Sequence, residues 1–277
     1  MSQVSPLNSR PQLSLVIPAH NEEQNIQGCL DELVSALITG AGLDVELIVV
    51  ADGCTDQTEE LVQERMKAVP GIRLIRHSAP CGFGRAIRCG LNYAEGDVVV
   101  IYMADLSDRP QDVLNYYRLI IDEEYDCVFG SRFIDGGSVH NYPRFKLIVN
   151  RFVNTAIRVM FWTRFNDLTN AFKAYRREVI QSCGPYRSCH FNITLEMSLS
   201  ALIAGYRIKQ CPIHWEGRTW GSTKLKLREM GRRYLCTLMM LFFQRMLIAD
   251  DVRQERDRTG ASGEEILLTE VSDSSTV

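Results

Sequence analysis

The feature that most constrains the fold is an alternation of short apolar segments with amphipathic ones in the first half of the chain. Five apolar segments are predicted strands: LSLVIPA (13–19), VELIVVAD (45–52), IRLIRH (72–77), DVVVIYMAD (97–105) and CVFGSRF (127–133). The intervening segments carry apolar residues at helical spacing, which predicts helices at 21–37, 55–69, 83–94 and from near Pro110. Mostly apolar strands separated by helices indicate an α/β fold, a largely parallel sheet flanked by helices.

Polar residues follow the predicted strands at the point where each strand ends. The sequences at these ends are PAHNE, ADGCTD, MADLSD and GSRF. Ligands of open parallel sheets bind beyond the carboxyl ends of the strands. We therefore expect these polar residues to converge on one binding site.

The length of 277 residues suits one large domain, predicted over residues 13–249. From Asp250 onward eight acids face three arginines, a balance of −5, so the net charge of −3 leaves about +2 for the preceding residues. We expect a flexible N-terminus (1–12) and an acidic disordered tail (250–277). The nine cysteines are scattered without a CxxC pair, which favours reduced thiols in a cytosolic protein.

Two later segments combine basic and apolar residues. Residues 136–166 contain no acid, and residues 224–247 include the run RRYLCTLMMLFFQRM. Both are possible membrane-surface helices, since basic amphipathic helices bind anionic lipid surfaces. An ordinary core-facing helix with a solvated basic face is the alternative. The apolar runs are too short to cross a bilayer, which takes roughly 18–20 residues, so we expect a cytoplasmic protein associated peripherally with a membrane.

Other nucleotide-binding motifs are weak or missing. Gly82-x-Gly84 follows the third predicted strand, and Ile87 stands where a dinucleotide fingerprint needs glycine. The sequence has no Walker lysine loop, nucleophile elbow or HExxH motif. A nicotinamide oxidoreductase is therefore disfavoured, and we expect no nucleic-acid partner.

The ordered series VIPAHNEEQNI, IVVADGCTD, ADLSD and GSRF resembles the family 2 glycosyltransferases with a GT-A fold. NDLTNAFKAYRREVI and CPIHWEGRTWGSTKLKL resemble segments of the dolichyl- and polyprenyl-phosphate sugar synthases, and the resemblance covers roughly residues 13–235. It implies a GT-A-like, Rossmann-type sheet with C-terminal amphipathic interface helices. The implied activity is inverting transfer of a sugar from a nucleotide-sugar donor, GDP-mannose or a UDP-sugar, to a polyprenyl phosphate.

The resemblance also implies roles for individual residues. The implied donor-binding residues are Pro18, His20, Glu22, Val50, Asp52, Ala104, Asp105 and Arg132. The implied catalytic residues are Asp105, Arg132, Arg218 and Lys224, of which the three cations also bind the acceptor phosphate. Structural alternatives remain: an Asp-Gly turn for Asp52, a helix first-turn acid for Glu22, and a solvated basic loop for Arg218 and Lys224.

The metal site is where the sequence departs from the family. The resembled enzymes usually carry Asp-x-Asp followed by glutamine, whereas this chain has Met103, Asp105 and Ser107. A thioether is a poor ligand for a hard cation. We therefore predict that Asp105 and Ser107 hold Mg²⁺ or Mn²⁺, with Asp108 nearby.

Two other functions remain open. A lipid phosphate is already an anionic nucleophile, whereas a glycan or a lipid without phosphate would need a general base, with Asp108 or Glu196 as candidates. The second alternative is a protein that binds nucleotide sugars without turnover. The sequence does not indicate an oligomeric state.

Overall fold

The computed structural model describes residues 10–217 and 231–248. The predicted acidic tail, residues 1–9 of the predicted flexible N-terminus and the start of the second basic segment (224–230) lie outside these ranges.

A seven-stranded sheet forms the centre of the molecule, in the order β3-β2-β1-β4-β7-β5-β8. Its strands are β1 (Leu13–Ala19), β2 (Val45–Asp52), β3 (Ile72–His77), β4 (Val98–Ile101), β5 (Cys127–Ser131), β7 (Lys173–Arg176) and β8 (Ile208–Pro212). Only β7 runs antiparallel to its neighbours, β4 and β5. A separate parallel pair joins β6 (Ser138–His140) to β9 (His214–Glu216). The predicted largely parallel α/β sheet is confirmed.

Helices connect the strands and cover both faces of the sheet. They are α1 (Ile26–Leu33), α2 (Thr58–Ala68), α3 (Phe83–Tyr93), α4 (Pro110–Ile121), α5 (Arg144–Met160), α6 (Arg177–Cys183), α7 (Ile193–Ile203) and α8 (231–248). A π-helical segment, Val34–Gly40, continues α1. The fourth strand is shorter than predicted: it ends at Ile101, and residues 102–109 form a loop. Within the described ranges, no helix is long and apolar enough to cross a membrane.

The sheet separates two hydrophobic clusters. Leu13, Leu15 and Ile17 of β1 point into the cluster that α1, α2 and α4 cover, whereas Val16 points into the cluster beneath α3 and α7. Every residue of β1 and β2 is buried. Because the faces of these strands are covered, their polar neighbours can reach ligands only at the strand ends.

The glycines of CGFGRAIRCG serve close packing. A Cβ atom added at Gly84 would lie 2.6 Å from the carbonyl oxygen of Ser188 and 2.7 Å from the backbone nitrogen of His190. Phe83 stacks on Phe191 with ring centroids 4.1 Å apart. The start of α3 therefore packs directly against the backbone that precedes α7.

We expect Gly84→Ala to destabilise the protein by about 1–3 kcal/mol, because the new methyl group would overpack a backbone contact. Gly231→Ala is the control, since a Cβ atom there meets nothing within 4 Å and alanine is favoured in a helix. Urea denaturation of both variants measures the change. An unaltered midpoint for Gly84→Ala would contradict the proposed packing role.

Candidate functional site

The ends of β1 and β2 bring four of the predicted donor-binding residues together. Pro18 and Val50 are register partners on the two strands. His20 contacts the carbonyl oxygen of Asp52 through Nδ1, at 2.7 Å. We call the surface formed by residues 18–22, 52–55, 102–109 and 132 the carboxyl-edge site. The predicted convergence of β1 and β2 ends is thus present in the fold.

Asp52 connects three elements of this edge. Its Oδ1 lies 2.7 Å from Nδ1 of His77, the last residue of β3, and its Oδ2 accepts a hydrogen bond from the N–H of Gly82, also at 2.7 Å. The following Gly53 has φ +65°, a left-handed conformation that glycine adopts without strain. The Asp-Gly turn is therefore present, but the carboxylate also holds the end of β3 and the start of α3 in place.

Glu22 lies in the turn between β1 and α1. Its Oε2 accepts a hydrogen bond from Nδ2 of Asn25 at 2.8 Å, and its N–H donates to Oγ1 of Thr58 at 2.9 Å. Helix α1 begins only at Ile26 and has no acid in its first turn. The helix-dipole alternative therefore does not describe the position of Glu22, which is a buried carboxylate at the carboxyl edge.

The loop after β4 folds back on itself. Leu106 has φ +60°, which is unusual for a bulky residue and is a kind of strain that concentrates at functional sites. Oδ1 of Asp105 accepts a hydrogen bond from the N–H of Ser107 at 3.2 Å, and the Tyr102 hydroxyl donates to the carbonyl oxygen of Asp108 at 2.6 Å. Asp105, Ser107 and Asp108 are all buried.

This loop packs against α1, where Gly28 approaches the Leu106 side chain. The Cys29 thiol of α1 donates a hydrogen bond to the carbonyl oxygen of Met103. The same thiol lies within electrostatic range of three carboxylates, those of Asp105, Asp108 and Glu22. Burial first, and these carboxylates in addition, raise the pKa of the Cys29 thiol well above its usual value. The carboxyl ends of β1 and β4 therefore share one strongly negative region.

Asp108 is the most unusual group in this region. Its Oδ2 is buried and has no hydrogen-bond partner among the described residues. Burial, followed by the charge of Asp105, raises the pKa of the Asp108 carboxyl well above its usual value, and Arg132 opposes the effect. A divalent cation suits the carboxylate oxygens of Asp105 and Asp108, because such a cation binds several oxygens and offsets the repulsion between carboxylates. Across the described ranges, no group of three or more His, Cys, Asp or Glu residues could hold a metal, so the remaining ligands would be diphosphate and water.

Arg132 forms a buried ion pair that the sequence did not indicate. Its Nε donates to Oδ2 of Asp167 at 2.8 Å and its Nη2 donates to Oδ1 at 2.7 Å. The rings of Phe133, Tyr142 and Trp215 surround the guanidinium at 5.2–5.9 Å. Burial alone would lower the pKa of Arg132, but the charge and hydrogen bonds of Asp167 outweigh it, so the net shift is upward. The guanidinium is therefore a permanent cation held in one orientation.

Two other buried charged residues have structural contacts. Glu196 accepts hydrogen bonds from the N–H groups of Arg187 and Ser188 at 2.8 and 2.7 Å, so its carboxylate fixes the loop before α7. Lys173 of β7 donates to the carbonyl oxygen of Leu168 and to Oγ of Ser198, both at 2.6 Å. Glu196 is thereby a poor candidate for the general base that a non-phosphate acceptor would need. Arg218 and Lys224 lie outside the described residues, and their roles stay predictions.

Asp167→Ala should destabilise the protein by about 3–5 kcal/mol, because it leaves the buried Arg132 charge without its partner. The matched control is Glu59→Ala, which removes a solvent-accessible pair with Arg76 and should cost less than about 1 kcal/mol. Urea denaturation followed by circular dichroism compares the two. Equal losses of unfolding free energy for both variants would show that the buried ion pair stabilises the protein no more than the exposed one.

The fold and the carboxyl-edge site place the protein among the open α/β proteins whose ligands bind at the carboxyl ends of the strands. Residues 14–184 match the family model described as glycosyl transferase family 2. Because this match spans more than half of the chain, the protein belongs to glycosyl transferase family 2 and is an enzyme of that family.

Individual relatives agree with this assignment. The chain is 28% identical over 219 residues to the polyprenol monophosphomannose synthase of Mycolicibacterium smegmatis, covering 76% of this chain and 80% of the relative. It is also 28% identical to the dolichol-phosphate mannosyltransferase of Pyrococcus furiosus, over 77% of this chain but only 59% of that protein. The predicted resemblance to polyprenyl-phosphate sugar synthases is confirmed at the level of sequence relatives.

A solved structure with a similar fold belongs to a different enzyme. The glucosyl-3-phosphoglycerate synthase of Mycobacterium tuberculosis superposes with a TM-score of 0.63 at 22% identity, covering 83% of this chain and 80% of that one. That structure contains Mn²⁺, UDP and glucosyl-3-phosphoglycerate. The likeness confirms the GT-A fold and leaves the acceptor of this chain open.

Proposed function

We propose that this glycosyltransferase moves a sugar from a nucleotide-sugar donor, GDP-mannose or a UDP-sugar, to a polyprenyl phosphate with inversion at the anomeric carbon. The observation that carries the proposal is the carboxyl-edge site, where buried carboxylates and a fixed arginine meet at the ends of β1, β2, β4 and β5. The two relatives that act on polyprenol or dolichol phosphate support the acceptor class.

The donor would lie across the carboxyl-edge site. Pro18, His20, Glu22, Val50 and Asp52 would hold the base and ribose, and Ala104 and Asp105 would lie beside the diphosphate. A divalent cation on Asp105 and Ser107 would neutralise the charge that develops on the leaving nucleoside diphosphate. Solved structures of the phosphoglycerate enzyme contain Mn²⁺ or Mg²⁺ with UDP, which supports this expectation.

The acceptor chemistry would need little from the protein beyond positioning. A phosphate oxygen attacks as an anion, so no proton has to be removed, and Arg132, with Arg218 and Lys224, would orient the acceptor phosphate. The aromatic rings around Arg132 keep its guanidinium in place. The engaged carboxylate of Glu196 is consistent with a reaction that uses no general base.

A second candidate is transfer to an acceptor without a reactive phosphate. Its support is the buried Asp108 carboxylate, which has an oxygen without a hydrogen-bond partner in the described part of the chain and could accept a proton. A protein that binds the donor without turnover is the third possibility. The same assay separates all three.

We expect the purified protein with Mg²⁺ or Mn²⁺ to convert one member of a donor panel and a polyprenyl phosphate to a lipid-linked sugar. The panel contains GDP-mannose, UDP-glucose and UDP-N-acetylglucosamine. Asp105→Ala should lower the rate about 100-fold or more, as expected when charge stabilisation of the leaving group is lost. Product is measured by extraction into organic solvent and mass spectrometry.

The matched control is Asp97→Ala, which removes an exposed carboxylate at the opposite end of β4 and should leave the rate unchanged. Activity that survives both chelator and Asp105→Ala would refute the metal assignment. Donor binding without turnover on any acceptor would favour the third possibility, a protein that binds the donor only. Transfer to a free polyprenol but not to its phosphate would favour the second candidate.

We also propose that the enzyme associates with the membrane surface through α5 and α8. Trp162 is 90% exposed and Phe152 is 74% exposed, both in or next to α5, and Phe243 and Leu247 of α8 are exposed as well. A groove of about 560 Å³ lies between them, lined by Phe152, Thr155, Ala156, Val159, Met160, Trp162 and Phe242. Exposed apolar groups rimmed by cations suit an anionic lipid surface.

Phe152→Ser combined with Trp162→Ser should weaken binding to vesicles of phosphatidylcholine and phosphatidylserine by about ten-fold or more, since it removes two aromatic anchors. Tyr93→Ser, which removes an exposed aromatic ring from α3, is the control and should bind normally. Vesicle co-sedimentation measures the partition. Wild-type-like binding of the double variant would show that this surface is not the membrane contact.

A further inference from the structure

The loop after β4 carries a second buried carboxylate, Asp108, three residues after Asp105. The usual first aspartate of the family motif is Met103 in this chain, which leaves Asp105 as the motif carboxylate. Met103 can offer only a thioether, a poor ligand for Mg²⁺ or Mn²⁺. The chain has nevertheless placed another carboxylate, Asp108, three residues further on.

The backbone of this loop brings Asp108 to the same region as Asp105. Leu106, between the two aspartates, has a left-handed conformation and lies in a bend of the chain. The carbonyl oxygen of Asp108 accepts a hydrogen bond from the Tyr102 hydroxyl at 2.6 Å, which anchors its backbone. The Asp108 side chain is buried rather than turned toward solvent.

The remaining oxygen of Asp108 is the observation that points to a ligand. Asp108 is only 4% exposed, and its Oδ2 finds no hydrogen-bond donor within the described residues. Buried polar atoms almost always have partners, so an unsatisfied one commonly marks a missing water or ion. Asp108 also lies within electrostatic range of both Asp105 and Arg132. The open oxygen thus belongs to a carboxylate that lies in electrostatic range of the predicted metal carboxylate, the predicted phosphate-binding arginine and Asp112.

We propose that Asp108 is the second metal-ligating carboxylate of this enzyme and takes the place of the carboxylate that Met103 lacks. Asp105 and Asp108 would each supply an oxygen, and the diphosphate and water would complete the coordination, as is common for Mg²⁺. This proposal rests on the proposed function, because it assumes that a cation binds with a nucleoside diphosphate. It differs from the general-base role, which requires Asp108 to accept a proton instead.

The experiment measures Mn²⁺ binding to the full chain by electron paramagnetic resonance of free Mn²⁺, with UDP or GDP present. Asp108→Asn keeps the shape of the side chain and should weaken Mn²⁺ binding about ten-fold or more. Asp105→Asn should have a similar effect. The matched control is Asp112→Asn, since Asp112 also has a buried Oδ2 without a partner in the described residues but lies in the first turn of α4, outside the loop. It should bind Mn²⁺ within about three-fold of wild type.

A second variant tests direct ligation. Asp108→Cys should make Cd²⁺ displace the bound Mn²⁺ at lower concentration than in wild type, because a thiolate prefers the softer cation. Asp112→Cys should leave Cd²⁺ displacement unchanged. This readout remains available if Asp108→Asn reduces the yield of folded protein, and a purely structural role for Asp108 would not alter the preference between the two cations.

The outcomes separate this proposal from the proposed function. Weaker Mn²⁺ binding by Asp108→Asn supports the metal role even if no lipid-linked sugar is formed. Normal Mn²⁺ binding with a large loss of turnover would assign Asp108 as a base and overturn the proposal. Turnover and Mn²⁺ binding that both survive Asp108→Asn would overturn the metal role while leaving the glycosyltransferase activity intact. A wild-type protein that binds no Mn²⁺ with either nucleotide would overturn it as well.

Discussion

Strand β1 lies at the centre of the molecule, hydrogen-bonded to β2 on one side and β4 on the other, with all seven of its residues buried. Its alternate side chains fill two separate hydrophobic clusters. Since both faces of such a strand are covered, polar groups of the chain can meet a ligand only where the strand ends. The carboxyl-edge site is therefore a geometric consequence of how the core is buried.

The second half of the chain completes the site through β7. This strand inserts antiparallel between β4 and β5, and the loop before it carries Asp167 to Arg132 at the end of β5. A buried arginine needs a carboxylate, because an isolated charge in the interior is strongly unfavourable. Asp167 meets that need and fixes the plane of the guanidinium. The orientation of the Arg132 guanidinium at the carboxyl edge thus depends on Asp167, which lies in the second half of the chain.

The loop after β4 shows how a motif can change while its location stays constant. Met103 removes one carboxylate, yet residues 102–109 still contact α1 and keep three buried polar side chains, Asp105, Ser107 and Asp108. A loop tolerates such exchange because its position is set by the strands on either side of it. Its chemistry is set by the side chains that the loop buries, here Asp105, Ser107 and Asp108.

The sequence by itself determined the α/β class, the bounds of β1, β2 and β3, and the order of the polar strand ends, because burial on both faces imposes a local pattern of apolar residues. It also determined that Asp52 and Asp105 lie at the carboxyl edge. Only the tertiary structure decided the Arg132–Asp167 pair, the antiparallel insertion of β7 and the engagement of Glu196 by backbone N–H groups. The pairing of Arg132 with Asp167, like the placement of β7, joins residues far apart in the chain, and hydrophobic periodicity carries no information about which distant residue will approach. The unsatisfied oxygen of Asp108 is another feature that only the tertiary structure revealed, since a missing partner can be recognised only when all neighbours in space are known.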